Sequence, residues 1–322
     1  MSAPVRWGVI GATADIAQQA VLPALSASPG CELTAVASAG RRQGGYDAFG
    51  ATSVLGSYQA VLDHPAVEAV YIPLPNGLHA EWTAKAAAAG KHVLCEKPLG
   101  CTAVEASAMA DACDAAGVLL FEAYMTPFHP RSVALGEVVA SGVLGPLRFG
   151  RTSFTGELRD AGNHRWSPSM GGGALLDVGI YCLAPLLQAA GRLPVDLAAS
   201  AVMTEGGVDS SFSGWLDFGG GFTAAFECSF EAPERQRLEL VGTDAAVTVE
   251  RTFTPGFDDT LLSLLHRDGR TERREVGGGD PYRGMVDHVS AVIRGEAVPQ
   301  RTASDAIDIA TLVDRLKAVA HG

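Results

Sequence analysis

Residues 6–17 read RWGVIGATADIA, and the order of elements in this stretch indicates the fold class. Residues 6–10 form a short apolar run of the kind found in buried strands. Small residues follow from Gly11, and a helix-forming stretch occupies residues 16–26. A strand, a small-residue turn and a helix in this order predict the first unit of an alternating β/α domain.

The same alternation continues along the first third of the chain. Strands are predicted at residues 32–37, 69–73, 92–95 and 118–122, and helices at residues 80–90 and 102–117. Strands that alternate with helices predict a parallel sheet covered by helices on both faces. Residues 1–122 are therefore expected to form a doubly wound α/β domain.

The pattern changes after residue 123, in a chain too long for one typical core. Strand-like runs with little helix between them occur at residues 147–154, 197–203, 212–218, 222–230, 237–241 and 246–251. The triplet Gly219, Gly220 and Gly221 predicts a hairpin between two of these runs. Helices are predicted over this sheet at residues 171–190 and 281–294, and a last helix at residues 304–320. Residues 123–322 are therefore expected to form an α+β domain with a large, mainly antiparallel sheet.

Composition narrows the classes of partner. A net charge of −12 opposes binding to nucleic acid or to anionic membranes, both of which are bound through Lys and Arg. No segment approaches membrane-spanning length, and the start of the chain lacks a signal-peptide pattern. The six cysteines form no C-x-x-C pair, and the eight histidines form no H-E-x-x-H motif. We expect a cytoplasmic protein with reduced thiols, no membrane or nucleic-acid partner and no metal.

The turn at Gly11 is a candidate phosphate site. In dinucleotide-binding domains, glycines in this turn bring backbone N–H groups and a helix N-terminus against the pyrophosphate. Only Gly11 matches the G-x-G-x-x-G pattern, so the turn alone fits such a site and a plain strand-to-helix turn equally well. The second strand leads to Ser38, Arg41 and Arg42, where an NAD site usually has Asp or Glu. Hydroxyl and guanidinium groups suit a 2′-phosphate, which favours NADP(H) over NAD(H); the alternative is two solvated loop arginines.

Four blocks of sequence, in this order, carry a resemblance to a known family. They read RWGVIG at 6–11, VYIPLPNGLH at 70–79, GKHVLCEKPL at 90–99 and GGGALLDVGIY at 171–181. Together they resemble the Gfo/Idh/MocA family of oxidoreductases over essentially the whole chain. With its tyrosine, the last block most resembles the branch of this family that contains dihydrodiol dehydrogenase, NADP-dependent D-xylose dehydrogenase and glucose-fructose oxidoreductase.

The resemblance implies a Rossmann domain and a set of cofactor contacts within it. The backbone from Ala12 to Ile16 would hold the pyrophosphate, with the hydroxyl of Thr13 as an extra donor. The side chains expected along the ribose channel and at the nicotinamide end are Leu74, Asn76, His79, Glu96 and Lys97. The broad sheet of the second domain implies a homodimer or homotetramer.

Hydride transfer at an alcohol carbon needs an acid/base and a positive charge at the oxygen. Lys97 follows a predicted strand, at the sheet edge where doubly wound folds bind ligands. Asp177 and Tyr181 are spaced i, i+4 on a predicted helix and therefore share one face. With the family block, this spacing predicts that Tyr181 exchanges the proton, while the Lys97 ammonium holds the oxygen and favours the phenolate.

Two assignments stay open at this point. Asp177 would either bind a substrate hydroxyl or balance the charge of Lys97. Arg165 and Trp166, just before the glycine triplet, are further candidates for substrate contact, with surface packing as the alternative. The Lys97-Pro98 peptide is expected to be cis, as the matching family block implies.

The sequence thus favours an NADP(H)-dependent oxidoreductase that moves a hydride between nicotinamide and a hydroxyl or carbonyl of a sugar, polyol, diol or keto-sugar. One alternative is an NAD-retaining glycoside hydrolase of the same fold family, in which oxidation is transient. A second is a non-catalytic NADP-binding sensor. Intact Lys97, Asp177 and Tyr181 argue against the sensor.

Overall fold

The computed structural model describes residues 3–38 and 45–320 and divides the chain into two compact units. The first unit comprises Met1–Met125 and Asp280–Ile307, and the second comprises Thr126–Gly279 and Asp308–Gly322. Each unit is built around its own sheet. The predicted α/β class, with one parallel and one mainly antiparallel sheet, is confirmed.

The first unit contains a parallel sheet of six strands in the order β3-β2-β1-β4-β5-β6. The strands are β1 (Val5–Ile10), β2 (Cys31–Ala37), β3 (Ser53–Leu55), β4 (Ala69–Ile72), β5 (His92–Glu96) and β6 (Leu120–Ala123). The strand order reverses direction between β1 and β4, and ligands bind beyond the carboxyl ends of the strands at such a point. The five predicted strands are confirmed, and the short edge strand β3 was not predicted.

Three of the four helices of the α/β alternation lie where the sequence predicts them. They are α1 (Leu22–Ala27), α2 (Tyr58–Leu62), α3 (His79–Ala88) and α4 (Ala103–Ala116), of which α2 was not predicted. A π-helical turn, Ala17–Val21, precedes α1 directly. The helical segment that follows the Gly11 turn therefore begins with irregular geometry.

The second unit opens with α5 (Pro130–Ala140) and contains a sheet of eight strands. They are β7 (Leu147–Glu157), β8 (Asp196–Met203), β9 (Asp209–Asp217), β10 (Thr223–Ser229), β11 (Glu231–Gly242), β12 (Ala245–Glu250), β13 (Thr260–His266) and β14 (Thr271–Val276). Their order is β14-β13-β12-β11-β7-β10-β9-β8, with β7 and β10 parallel and the other neighbours antiparallel. The predicted glycine hairpin joins β9 to β10, and its three glycines have positive φ. The hairpin β13–β14 was not predicted.

The helix α6 (Ile180–Ala190) packs against this sheet. With the residues before it, the segment Pro168–Ala190 is long and apolar enough to cross a membrane, contrary to the sequence-based expectation. However, 67% of its most apolar window is buried inside the protein, as in the core helix of a globular unit. Length and composition alone are therefore weak evidence for a membrane span here.

The chain returns to the first unit after residue 279. The helix α7 (Pro281–Ile293) packs beside α1 and β2, where the indole Nε1 of Trp7 donates to Ser290 Oγ at 3.2 Å. The helix itself was predicted, but its expected position over the antiparallel sheet is wrong. The last helix, α8 (Ala303–Ala320), begins in the first unit and continues in the second.

A bidentate ion pair joins the segment after residue 279 to the rest of the first unit. The Arg294 guanidinium donates to both carboxylate oxygens of Glu68, at 2.9 and 2.8 Å, and also to the carbonyl of Pro4 at 2.7 Å. The backbone N–H of Arg6 donates to the same carboxylate at 3.0 Å. These bonds, that from Arg294 first, lower the pKa of Glu68 to about 2.

Replacing Glu68 with glutamine should destabilise the protein by about 1 kcal/mol at neutral pH. Because the pKa of Glu68 falls from 4.5 to about 2 on folding, its contribution to the free energy of unfolding is complete above pH 4.5. This contribution disappears as the pH falls through 2. Urea unfolding of both proteins at pH 7, 4 and 3 should show the gap closing toward acid. Glu81→Gln, which breaks an exposed pair with Lys85, is the control and should have little effect. A gap that is independent of pH would contradict the assignment.

Candidate active site

The turn after β1 is shaped by Gly11, whose φ is +91°. A Cβ on this residue would lie 2.7 Å from Leu74 Cδ2, so the position has no room for a side chain. The N–H groups of Gly11 and Ala12 both donate to the carbonyl of Ala37, at 2.8 and 3.0 Å. The Ala12 N–H is therefore bonded to the end of β2, and the role of the backbone from Ala12 to Ile16 in holding a pyrophosphate stays a prediction.

Donors for a phosphate begin further along the turn. Thr13 is exposed, Ile16 is half-buried, and helical geometry starts at residue 15. A tight glycine turn that leads into a helix fits a dinucleotide, because the first N–H groups of a helix have no partner within it. Of the predicted 2′-phosphate ligands, half-buried Ser38 directly follows β2, whereas Arg41 and Arg42 lie outside the described residues.

The loop after β4 is tied to the loop after β5 by His79. Its Nδ1 lies 2.8 Å from the carbonyl oxygen of Pro98, and its Nε2 lies 2.8 Å from that of Leu74. The ring is fully buried, and burial lowers the pKa of His79 while the two carbonyls oppose that shift. The ring therefore holds the loops together and is enclosed, unlike the channel-lining side chain that was expected; Asn76, in the same loop, is half-buried.

Glu96 is also enclosed at the end of β5. Its carboxylate accepts a hydrogen bond of 2.7 Å from the hydroxyl of Tyr71 and one of 3.2 Å from the N–H of Lys97. Burial raises the pKa of Glu96. The next residue, Lys97, is half-buried at the carboxyl edge of the sheet, and its peptide bond to Pro98 is cis, as predicted.

A second buried carboxylate supports the segment that follows Lys97. Glu122, on β6, accepts from the N–H of Leu99 at 3.1 Å and from the Arg301 guanidinium at 2.8 Å. Arg301 also lies over the ring of Tyr124, 4.9 Å from its centroid. The lysine-bearing loop is therefore fixed by residues from three distant parts of the sequence.

In the second unit, Asp177 and Tyr181 lie on a helix that begins irregularly. Asp177 belongs to a π-helical turn, Leu175–Gly179, and Tyr181 is the second residue of α6. The sequence predicted a regular helix here. A π turn inside an α-helix is rare and frequently marks a functional site.

Asp177 is paired with Arg165, the other predicted polar site residue of this unit. The guanidinium Nε of Arg165 donates to Asp177 Oδ2 at 2.7 Å, and the side chains are 35% and 14% exposed. The predicted Trp166 packs edge to face against Phe230, with ring centroids 5.3 Å apart. Sequence reasoning selected Arg165 and Asp177 separately and did not predict their ion pair.

The ring of Tyr181 lies in an aromatic cluster. Phe154 meets it nearly edge on, with centroids 5.4 Å apart, and Phe253 lies 5.8 Å away at an angle of 48°. Phe154 and Phe253 stack on each other at 5.5 Å. The phenol ring therefore has its orientation fixed by two neighbours, neither of which was predicted as part of the site.

Asp209 is a buried carboxylate beside the predicted site that the sequence analysis did not single out. Its Oδ2 accepts from the N–H of Leu175 at 2.7 Å, at the start of the helical segment that carries Asp177. Gly173, at φ +111°, approaches the same carboxylate so closely that a Cβ would lie 2.3 Å from Asp209 Oδ1. Burial raises the pKa of Asp209, although the hydrogen bond from the N–H of Leu175 opposes the shift.

Within residues 3–38 and 45–320, no group of three or more His, Cys, Asp or Glu side chains could hold a metal ion. The predicted site residues instead form one cluster in each unit. One lies at the carboxyl edge of the parallel sheet around Lys97, and the other surrounds the start of α6. A six-stranded sheet in the order 3-2-1-4-5-6 with a glycine turn after β1 defines the class of Rossmann dinucleotide-binding proteins.

Comparison with known proteins identifies the family. Residues 5–124 match the model of an oxidoreductase family with an NAD-binding Rossmann fold, GFO_IDH_MocA. Residues 133–248 match the GFO/IDH/MocA C-terminal domain. The chain belongs to the Gfo/Idh/MocA family of oxidoreductases, and the predictions of the family and of an oxidoreductase are confirmed.

Relatives match over nearly the full length. D-xylose 1-dehydrogenase (NADP(+)) 2 of Haloferax volcanii is 35% identical over 317 residues, which are 97% of this chain and 96% of the relative. dTDP-3,4-didehydro-2,6-dideoxy-alpha-D-glucose 3-reductase of Streptomyces violaceoruber is 35% identical over 98% of this chain and 96% of the relative. The crystal structure of a 3-ketoreductase from Actinomadura kijaniata with NADP and TDP-benzene has a TM-score of 0.87 and 32% identity, covering 98% of this chain and 97% of that one.

Proposed function

We propose that the protein transfers a hydride between NADP(H) and a hydroxyl or carbonyl group of a sugar, polyol, diol or keto-sugar. The observation that carries the proposal is the placement of Lys97 at the ligand-binding edge of a Rossmann sheet. The π turn beside Tyr181 adds support from the second unit. Relatives named for xylose, for a deoxy-keto-sugar nucleotide and for a dihydrodiol support the substrate class.

The cofactor assignment rests on the first unit. Thr13 and the helix start after it would contact the pyrophosphate, and Ser38, with Arg41 and Arg42 in the sequence, would receive the 2′-phosphate. The NADP named for the xylose dehydrogenase and the ketoreductase supports this preference. When bound, NADP(H) supplies or accepts the hydride.

The chain's own residues would handle the oxygen and its proton. The Lys97 ammonium stabilises negative charge that develops on the substrate oxygen, and the Tyr181 hydroxyl gives or takes the proton at that oxygen. The Asp177 carboxylate accepts a hydrogen bond from Arg165 and would also accept one from a neighbouring substrate hydroxyl. Trp166 would pack against the apolar face of the bound molecule.

We also propose a cytoplasmic location and a homodimer or homotetramer. Among the described residues none of the six cysteines forms a disulfide, which supports a reducing compartment. Apolar side chains on the eight-stranded sheet support association: Phe149 is 61% exposed and Val202 is 58% exposed.

A panel of aldoses, inositols, diols and keto-sugar nucleotides tests the function directly. The purified protein should form NADPH with at least one alcohol, or consume NADPH with at least one carbonyl compound. Either change is measured by the absorbance of the reduced nicotinamide. Glycosides should be included, because release of the aglycone without net change in the cofactor would identify a hydrolase instead. Tight NADP(H) binding without turnover of any compound would identify a sensor.

Replacing Tyr181 with phenylalanine should lower kcat by roughly 10²- to 10⁴-fold, because the ring stays and the proton-carrying oxygen is removed. The dissociation constant for NADP(H), measured by fluorescence titration, should change little. Lys97→Ala should be at least as damaging, and the double variant should be little slower than the slower single variant. Near-normal kcat in Tyr181→Phe on the best substrate would show that the proton is handled elsewhere.

Replacing Arg41 and Arg42 together with alanine should weaken the preference for NADP(H). Each guanidinium lost removes charge-assisted hydrogen bonds to the 2′-phosphate, which NAD(H) lacks. The measurement is the ratio of kcat/KM for NADP+ and NAD+. An unchanged ratio would reject the assignment, and Arg192→Ala, in the second unit, is the matched control.

A further inference from the structure

Arg131, at the start of α5, is a buried cation whose bonds go to carbonyl oxygens. The residue is 4% exposed. Its guanidinium donates to the carbonyls of three successive residues: Glu250 at 3.0 Å, Arg251 at 2.6 Å and Thr252 at 3.0 Å. Burial, with a contribution from the charge of Arg251, lowers the pKa of Arg131 to about 10. A buried charge is unfavourable unless its hydrogen-bond donors have partners, and here three carbonyl oxygens accept from the Arg131 guanidinium.

The three carbonyls belong to a turn with unusual backbone geometry. Arg251 has a φ of +48°, the only positive φ at a non-glycine position in the described part of the chain. That conformation is unfavourable for an L-residue with a side chain. Three carbonyls that point at one guanidinium offset this cost, because each bond is strengthened by the charge. The cation therefore stabilises the shape of the turn.

The residue that follows this turn is Phe253, whose ring contacts the ring of Tyr181. Phe253 is 1% exposed and lies 5.8 Å from Tyr181, while its face stacks on Phe154. Gln236 holds the same segment from its other side, since its Oε1 accepts from the N–H groups of Phe253 and Thr254 at 3.0 and 2.8 Å. The position of one wall of the tyrosine site thus depends on the turn that Arg131 binds.

We propose that Arg131 is a positioning residue for proton transfer at Tyr181. It acts through the turn at residues 250–252 and the ring of Phe253, without touching substrate or cofactor. This inference rests on the proposed role of Tyr181. Removal of the guanidinium frees the turn, Phe253 shifts, and the phenol loses its fixed orientation; displacements of about 1 Å can cost on the order of 10²-fold in rate.

The test compares Arg131→Met with a matched control, Arg315→Met. Arg315, on α8, donates to the carbonyl of Pro194 at 2.7 Å. Its replacement with methionine therefore removes a similar guanidinium–backbone bond elsewhere in the same unit. Both variants should lower Tm. Only Arg131→Met should lower kcat, by at least about 10-fold, with KM and the NADP(H) dissociation constant within about 3-fold of wild type. Its solvent deuterium isotope effect on kcat should rise, because proton transfer becomes the slower step, and Arg131→Lys should recover part of the rate.

Phe253→Leu provides an independent variant if Arg131→Met does not fold. It leaves the Arg131 bonds intact and should give the same loss of kcat. The double variant should be little slower than either single one, since both changes act through the same contact. Wild-type kcat in Phe253→Leu, or in folded Arg131→Met, would overturn the inference. If Tyr181→Phe is slow while Arg131→Met behaves like Arg315→Met, the positioning inference fails alone; if Tyr181→Phe is fully active, the proposed function fails first.

Discussion

The two contacts between His79 and the carbonyl oxygens of Leu74 and Pro98 are the interaction on which the first site cluster depends. Loops at the end of a parallel sheet contain buried backbone groups that have no strand partner, and each must find another one. A single enclosed ring contacts one carbonyl from each of two loops and, with one N–H in its neutral form, donates to one of them. The carbonyl of Pro98, directly after Lys97, is therefore fixed against the ring of His79.

The same solution recurs in the second unit with charged side chains. Asp209 accepts a backbone N–H at the start of the helix that carries Asp177, and Arg131 binds the carbonyls of the turn before Phe253. Each side chain is buried and bonds to backbone. Irregular segments are needed to place reactive groups, and buried polar side chains make those segments rigid.

The sequence allowed much of the architecture to be predicted, because strands buried on both faces are continuous apolar runs. Placement was harder: α7 was predicted as a helix, but its partner surface on α1 and β2 carries no local signal. At the site, the motif blocks predicted Lys97, Asp177 and Tyr181, whose roles stay predictions, whereas the buried side chains of Asp209 and Arg131 belong to no motif and were not singled out. Arg131 acts on backbone about 120 residues away, and neither periodicity nor motif spacing encodes such a contact.

The return of the chain to its first unit has a consequence for biosynthesis. Trp7 and Glu68 find their partners Ser290 and Arg294 in a segment that leaves the ribosome only after residues 126–279. The nascent Rossmann sheet therefore lacks its contacts with α7 until residues 126–279 of the second unit have been translated. A chain that ended before residue 281 would leave Trp7 and Glu68 without these partners, so the last part of the first unit forms only when synthesis is nearly complete.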